Sequence, residues 1–570
     1  MWKTEYEKWE NFSELDMELR EQLVVMDEKT KEDAFYKELE FGTAGMRGIL
    51  GPGTNRMNIY TVRKANDGFA RYIAAHGEAA KQRGIVIAYD CRHKSPEFAM
   101  ESAKVMASYG IKAYVFESLR PTPELSYAVR ELNAFAGIVI TASHNPKEYN
   151  GYKIYDQTGC QSVPAEAARV VELVNEVENE LLLTVADEKV YMEQGLIEML
   201  GEEIDAKYNE VVCNITINDV PKDELRIVFT PQHGTANVPV RRALETLGYE
   251  HVHVVEAQAT PDGDFPTVEL PNPEDPKSFT MAMELGAKVD ADILLATDPD
   301  ADRVGLAVKT ANGTYELLNG NQTGALTFHY LVTQRQAKGT LPTNPVMFTT
   351  IVSSDLAEEI ATKYGVSTER TLTGFKFIGD RVHHYENTGE KNFIFGYEES
   401  FGSLVDATIA RDKDAVQAVV IAVEMAAYYK AQGKTLFDVL AEIGDEFGYF
   451  QEGLISMSLP GKDGLEKIQT LMSTARKQPF TTIAGQVVIA HEDYHQQLRR
   501  DETGETIIEL PQADVLKYYL ADGSWFCLRP SGTEPKAKVY ISAKKATQAE
   551  SQEMVAKIEA DVMAIVNTII

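Results

Sequence analysis

Cysteine is scarce in this chain: 570 residues contain four, Cys91, Cys160, Cys213 and Cys527, with no CxxC spacing among them. That speaks against both a disulfide framework and a cysteine-built zinc site. Positive charge is short as well, 56 Lys and Arg against 87 Asp and Glu, for a formal net charge of −31. Such a field repels polyanions, so neither nucleic acid nor an anionic membrane surface is expected as a partner. Long apolar runs are missing too. The most apolar helical stretch, 415–429, is interrupted by Gln417 and Glu424, and nothing is expected to span a membrane. The start, Met1-Trp2-Lys3-Thr4-Glu5-Tyr6-Glu7-Lys8, is too charged for the apolar core of a secretion signal, so a cytoplasmic location is expected.

What remains is ordinary globular composition, 44% apolar and 25% charged, in a chain long enough for about three to five domains. Residues 1 to about 38 are charged and helix-favouring, as in one surface helix. Beyond them, apolar strands alternate with amphipathic helices in three rounds, which argues for parallel α/β sheets. The first round runs from about Gly84 to Ile140, the second from Leu225 to Thr297, the third from Val346 to Phe395. Each ends on a strand followed at once by a polar loop: Thr141-Ala142-Ser143-His144-Asn145-Pro146, then Asp298-Pro299-Asp300-Ala301-Asp302-Arg303, then Gly396-Tyr397-Glu398-Glu399-Ser400. Ligands of open α/β sheets bind beyond the C-terminal ends of the strands. Three similar domains, each with a loaded loop there, imply a cleft where the loops converge. The region from about Tyr449 differs, with short alternating strands and a last helix from about Ala546.

The loops have chemistry to match. Pro146 cannot continue the strand before Ser143, so that hydroxyl is presented on a turn. Asp298, Asp300 and Asp302 place carboxylates at alternate positions, where they can converge on a hard divalent cation. An EF-hand is excluded, because Arg303 and Lys309 stand where that loop needs Gly and Glu. Arg529-x-Ser531-Gly532-Thr533 combines a guanidinium fork, two hydroxyls and a flexible amide run, the composition of a phosphate nest. Glu398 and Ser400 can read sugar hydroxyls. Arg47, among the glycines of Phe41–Gly48, suits a phosphate, although a tight turn explains that stretch equally well. Asp412 to Asp414 open a helix by capping it. Gly433-Lys434-Thr435 is not a phosphate loop, since Tyr428 stands where its first glycine belongs, and Ser143 has no Gly-x-Ser-x-Gly elbow.

In this order and combination the motifs resemble the α-D-phosphohexomutase superfamily over nearly the whole chain. Phe41–Gly48, Thr373-Gly374-Phe375-Lys376 and Gly396–Gly402 are most similar to its phosphoglucomutase/phosphopentomutase branch. The resemblance implies an α/β chain of four domains around a central cleft, three of them similar mixed or parallel α/β-sheet domains and the last α+β. They would comprise residues 1–203 with a phosphoserine loop, 204–316 with a metal loop, 317–446 with a sugar loop and 447–570 with a phosphate loop. It implies phosphorylation of Ser143, and Mg2+ held by Asp298, Asp300, Asp302 and the Ser143 phosphate. Arg47, His144 and Lys153 would flank the transferring group. Arg303, Thr373, Gly374, Glu398, Ser400, Lys413, Arg529, Ser531, Gly532, Thr533 and Lys538 would bind substrate. The implied reaction interconverts α-D-glucose 1-phosphate and glucose 6-phosphate through glucose 1,6-bisphosphate, which also serves as activator. Ala44 in place of the family's aspartate, Tyr397 in place of a glycine and the lack of a histidine after the sugar loop are departures. Ribose or mannose phosphates are the competing substrates; a metal-dependent phosphatase and a silent sugar-phosphate sensor are readings of other classes.

Overall fold

A computed structural model describes residues 2–42, 45–459, 462–530 and 536–569. The chain divides into two compact units. The first holds residues 1–320, 342–344 and 375–435, the second 321–341, 345–374 and 436–570.

The charged N-terminal stretch forms three helices, Trp2–Glu10, Met17–Val25 and Glu28–Phe35, and not the single helix expected. The cause is two internal caps: the Asp16 and Asp27 carboxylates accept from the Leu19 and Thr30 amides and restart the helix each time. Trp9, Leu23 and Phe35 are buried together against Tyr60.

The first sheet of the first unit contains β1 (Gly45–Ile49), β2 (Ile85–Tyr89), β3 (Ala113–Phe116), β4 (Ala136–Ile140), β5 (Tyr149–Tyr155) and β6 (Ile197–Leu200), in the order β1-β5-β4-β2-β3-β6. β4, β2, β3 and β6 run parallel, and all residues of β2 and β4 are buried, which is why they read as unbroken apolar runs. β5 returns antiparallel to β4 and carries β1 on its far side. That close approach needs Gly45: its φ is +141°, and a Cβ would lie 1.8 Å from the Tyr152 carbonyl oxygen.

The second sheet repeats the plan. β7 (Arg226–Thr230), β8 (His251–Val254) and β9 (Ile293–Thr297) are parallel; β10 (Val304–Lys309) returns antiparallel to β9 and pairs with β11 (Tyr315–Leu318). Between β8 and β9, a 3₁₀ turn at Pro276–Phe279 leads into the α-helix Thr280–Val289. Of the strands that follow, β12 (Pro345–Thr350) and β13 (Ser367–Thr371) form a parallel pair in the second unit. β14 (Asn392–Tyr397) and β15 (Ser403–Leu404) form an antiparallel pair in the first. The three polar loops are thus hairpin connections, β4–β5, β9–β10 and β14–β15.

The rest of the second unit is sheet-rich, as expected from Tyr449 onward. β16 (Tyr449–Ser458), β17 (Thr482–Ile483), β18 (Gln486–Asp493), β19 (Leu498–Asp501), β20 (Gly504–Ile507), β21 (Leu516–Leu520), β22 (Trp525–Pro530) and β23 (Lys536–Lys545) pair in the order β16-β23-β22-β21-β18-β19-β20, with β17 on β18. The helices 462–477 and Gln548–Ile569 cover it over a core that includes Leu528, Val539, Ile558 and Val562. Among the described residues no helix is long and apolar enough to cross a membrane.

Candidate active site

Ser143 opens the β4–β5 connection with φ +52°, a left-handed conformation unusual for a non-glycine residue. The turn is held from behind. Thr141 Oγ1 accepts from the Ser143 amide at 2.8 Å. The buried Arg92 guanidinium donates to four carbonyl oxygens of one loop: Ser143 (2.6 Å), Asn145 (2.5 Å), Pro146 (2.8 Å) and Tyr149 (3.0 Å). Phe265 lies on its face. The Ser143 hydroxyl, only 3% exposed as a residue, has Asp298 Oδ2 at 3.0 Å and His144 Nδ1 at 3.2 Å. Burial, with Arg303 and Arg47 nearby, depresses the His144 pKa well below the usual imidazole range, so the ring is neutral at pH 7. Arg47, on an exposed position of β1, donates to Asn145 Oδ1 at 2.9 Å.

The β9–β10 turn presents the carboxylates. Asp298 Oδ1 accepts from the Asp302 and Arg303 amides (3.1 and 3.0 Å), folding the turn and leaving Oδ2 for Ser143. Asp298, Asp300 and Asp302 are each at most 2% exposed, and one oxygen from each lies within 4.8 Å of the others. Burial and its two acidic neighbours raise the Asp298 pKa; Asp300 and Asp302 stay ionised against the same burial because cations face them. Lys153 Nζ is 3.0 Å from Asp300 Oδ2, and Lys413 Nζ is 2.9 Å from Asp302 Oδ2. Asp300 Oδ1 and Asp302 Oδ1, both buried, have no hydrogen-bond partner. Three converging carboxylates with two unanswered oxygens are a donor set that fits a hard, oxygen-preferring divalent cation.

The third loop is tied to the second. Arg303 and Gly402 form an isolated antiparallel bridge, and the Val304 amide donates to the Phe401 carbonyl at 3.2 Å. Arg303 donates through Nη1 to Glu274 Oε1 (2.6 Å) and to the Ser400 carbonyl (3.2 Å). Gly402 leaves the space in which Lys413 lies: a Cβ there would sit 2.1 Å from Lys413 Cδ. Asp414 caps the helix Ala415–Lys430, as expected.

Ser143, His144, Lys153, Arg47, the three aspartates, Arg303, Glu398, Ser400 and Lys413 therefore all belong to the first unit. Thr373, Gly374, Arg529 and Lys538 belong to the second, where Arg529 and Lys538 are cross-strand partners on β22 and β23. Ser531, Gly532 and Thr533 lie outside the described residues, as does Ala44. Three residues went unnoticed in the sequence: Arg92, Glu274 and Thr122, which donates to the Asp300 carbonyl through N (2.9 Å) and to Asp300 Oδ2 through Oγ1 (3.2 Å). Arg92 alone left a signal, since it follows β2 at its C-terminal end.

A serine hydroxyl set against a carboxylate trio that could hold a metal ion, with no acyl-transfer elbow, is the arrangement metal-assisted phosphoryl transfer requires. Comparison with known proteins is specific. The chain matches the family descriptions phosphoglucomutase/phosphomannomutase alpha/beta/alpha domain I over residues 38–181, domain II over 206–313, domain III over 319–447 and the C-terminal domain over 476–561. It is 40% identical over 516 residues to a phosphoglucomutase of Staphylococcus epidermidis, an alignment covering 90% of this chain and 92% of that one. A Staphylococcus aureus phosphoglucomutase is also 40% identical, covering 90% and 91%. In fold it is similar to the parafusin (phosphoglucomutase) of Paramecium in its open form, with TM-score 0.65 at 18% identity over 94% of this chain and 95% of that one. A phosphoglucomutase/phosphomannomutase family protein of Burkholderia thailandensis gives 0.64 at 17% identity, covering 91% and 96%. The chain belongs to the phosphoglucomutase/phosphomannomutase family. It is an enzyme that moves a phosphoryl group within its substrate, and its substrates are sugar phosphates.

Proposed function

We propose that this enzyme interconverts α-D-glucose 1-phosphate and glucose 6-phosphate, with Ser143 as phosphoryl carrier and glucose 1,6-bisphosphate as intermediate and activator. The observation that carries the reading is the Ser143 hydroxyl held 3.0 Å from Asp298 Oδ2 on a left-handed turn. The names of the relatives at 40% identity support the choice of sugar. Asp298, Asp300 and Asp302, with a phosphate on Ser143, would hold Mg2+, which when bound neutralises charge on the transferring group. Neutral His144 can accept a proton near the reacting oxygen, and Arg47 and Lys153 supply positive charge beside it. Glu398 and Ser400 would read hydroxyls. Arg303, Thr373, Gly374, Lys413, Arg529, Ser531, Gly532, Thr533 and Lys538 complete the proposed substrate contacts. We divide the chain at 203/204, 316/317 and 446/447, and place it in the cytoplasm, where its four free thiols are at home.

The test has two parts. Intact mass of the purified protein should show one phosphoryl group, absent from Ser143→Ala. With Mg2+ and catalytic glucose 1,6-bisphosphate, the specificity constant for glucose 1-phosphate should exceed those for ribose and mannose 1-phosphates. Asp300→Asn should weaken the response to Mg2+. A clear win for ribose 1-phosphate makes the enzyme a phosphopentomutase, and net phosphate release without isomerisation makes it a phosphatase.

A further inference from the structure

Thr122 is the first residue of the helix Thr122–Glu131 and is wholly buried, so it acts only through its protein neighbours. A helix start leaves backbone amides without an intrahelical partner. The Thr122 amide is one of these, and it donates to the Asp300 carbonyl oxygen at 2.9 Å. The hydroxyl reaches the same residue a second time: Oγ1 donates to Asp300 Oδ2 at 3.2 Å. Its support is stiff. Pro121 and Pro123 flank it, each with φ fixed by its ring, and the β-branch restricts the χ1 of the threonine itself. Both partners belong to the first unit.

Anchoring the backbone of the carboxylate turn does not require that hydroxyl. The residues on either side of Asp300 are held without one on their side chains. The Ala301 carbonyl accepts from the Ala415 amide at 3.1 Å, and the Pro299 carbonyl from the amide and the hydroxyl of Thr235, each at 2.9 Å. Three successive carbonyls are thus taken by three segments of the first unit. Of these three anchors, Thr122 alone also donates to a carboxylate of the turn.

A carboxylate on a fixed backbone still turns about its Cβ–Cγ bond, a broad and roughly two-fold torsion. Thr122 Oγ1 and Lys153 Nζ, the latter at 3.0 Å, meet on the one oxygen Oδ2. Lys153 ends a flexible stem that can follow the carboxylate as it turns; Thr122 cannot. With Oδ2 engaged twice, Oδ1 is the oxygen left without a hydrogen-bond partner among the described residues. The neighbours divide their oxygens alike: Asp298 Oδ1 takes two backbone amides, and Asp302 Oδ2 takes Lys413. The space concerned is the gap among the carboxylates themselves, where one oxygen of each lies within 4.8 Å of the others. We propose that Thr122 is a positioning residue for the cation: it fixes the rotation of the Asp300 carboxylate, keeping Oδ2 as hydrogen-bond acceptor and Oδ1 as ligand oxygen. The inference rests on the proposed reading of Asp298, Asp300 and Asp302 as the Mg2+ site.

The probe is Mn2+, whose free and bound forms electron paramagnetic resonance tells apart, titrated into the full chain. Thr122→Val keeps the shape and the amide and loses only the hydroxyl. It should bind Mn2+ about tenfold more weakly than wild type, while Thr122→Ser, which restores the hydroxyl, should stay within about threefold. Thr122→Ala, a second variant without the hydroxyl, should match the valine variant. In the mutase assay, the Mg2+ concentration for half-maximal activity should rise by a similar factor in both. Excess Mg2+ should then recover most of the lost turnover, which it would not do for a site that had merely loosened. Wild-type affinity in both hydroxyl-free variants, with Asp300→Asn still weakened, overturns the role of Thr122 and leaves the cation site standing. A weakening that serine does not restore also overturns that role. A wild type that binds no Mn2+, or an Asp300→Asn that binds it undiminished, overturns the cation site and the role of Thr122 with it.

Discussion

At Ser143, the proposed phosphoryl carrier, a reactive hydroxyl and backbone strain would meet in one residue. Its φ of +52° costs a side chain with a Cβ on the order of 1 kcal/mol, a penalty glycine does not carry. Ser143→Ala and Ser143→Gly should both lose turnover, since neither has the hydroxyl, yet thermal melting should find the glycine variant the more stable by about 1 kcal/mol. The opposite order would mean that the turn is not held left-handed in solution. A different buried group sets a pH response in the second unit. Lys517, 1% exposed, donates to the Ile351 carbonyl at 2.8 Å and lies 3.9 Å from the Trp525 ring centroid. Burial, with Arg370 near, lowers its pKa to about 8. The unfolded chain holds that proton up to about pH 10.4, so between these values the unfolded state binds more protons and stability rises with pH. Below pH 8 both states are protonated and the contribution is flat. Urea unfolding at pH 7.5 and 9.5 should therefore show wild type gaining about 1–2 kcal/mol relative to Lys517→Met; parallel pH profiles would contradict the assignment.

Each loaded loop closes a hairpin, and the β4–β5 hairpin depends on one guanidinium for its shape. Arg92→Lys keeps the charge but offers one point where the native group serves four carbonyls and Asp90, whose Oδ2 lies 3.3 Å from Nε. The expected outcome is a fall in kcat of about tenfold or more with KM nearly unchanged, because the hydroxyl proposed to react is displaced while substrate contacts remain. A change confined to KM would place Arg92 in binding instead. The same loops mark where sequence reading succeeded and where it stopped. The strands leading into them, Ala136–Ile140 and Ile293–Thr297, were legible because they are buried on both faces. The returning strands were not: Tyr149–Tyr155 carries Asn150 and Lys153, and Ser403–Leu404 is two residues long. Arg92 was missed because its loop partners are backbone carbonyls, which side-chain patterns do not record, and Thr122 because the Asp300 it holds lies 178 residues away in the chain. The helix restarts at Asp16 and Asp27 were present as capping signals inside a stretch read only for its charge.

At the scale of the whole molecule, a net charge of −31 opposes an anionic substrate everywhere except at local clusters such as Arg47, Lys153 and Lys413. The repulsion is long-ranged, and the Debye length falls from about 30 Å at 0.01 M salt to about 8 Å at 0.15 M. For the proposed sugar phosphates, kcat/KM should accordingly rise between these salt concentrations at fixed Mg2+; a steep fall would reveal electrostatic attraction of substrate. The bridge between Arg303 and Gly402 has a consequence of another kind. It makes the carboxylate turn and the turn proposed to read sugar hydroxyls one mechanical piece, so a ligand that orders one changes the free energy of the other. Thermodynamic linkage is reciprocal: whatever factor a sugar phosphate contributes to cation affinity, the cation must return to the sugar phosphate. With the proposed Mg2+ and sugar phosphate in these two turns, such an enzyme would sense its metal supply through its apparent affinity for sugar, and its sugar supply through its grip on metal.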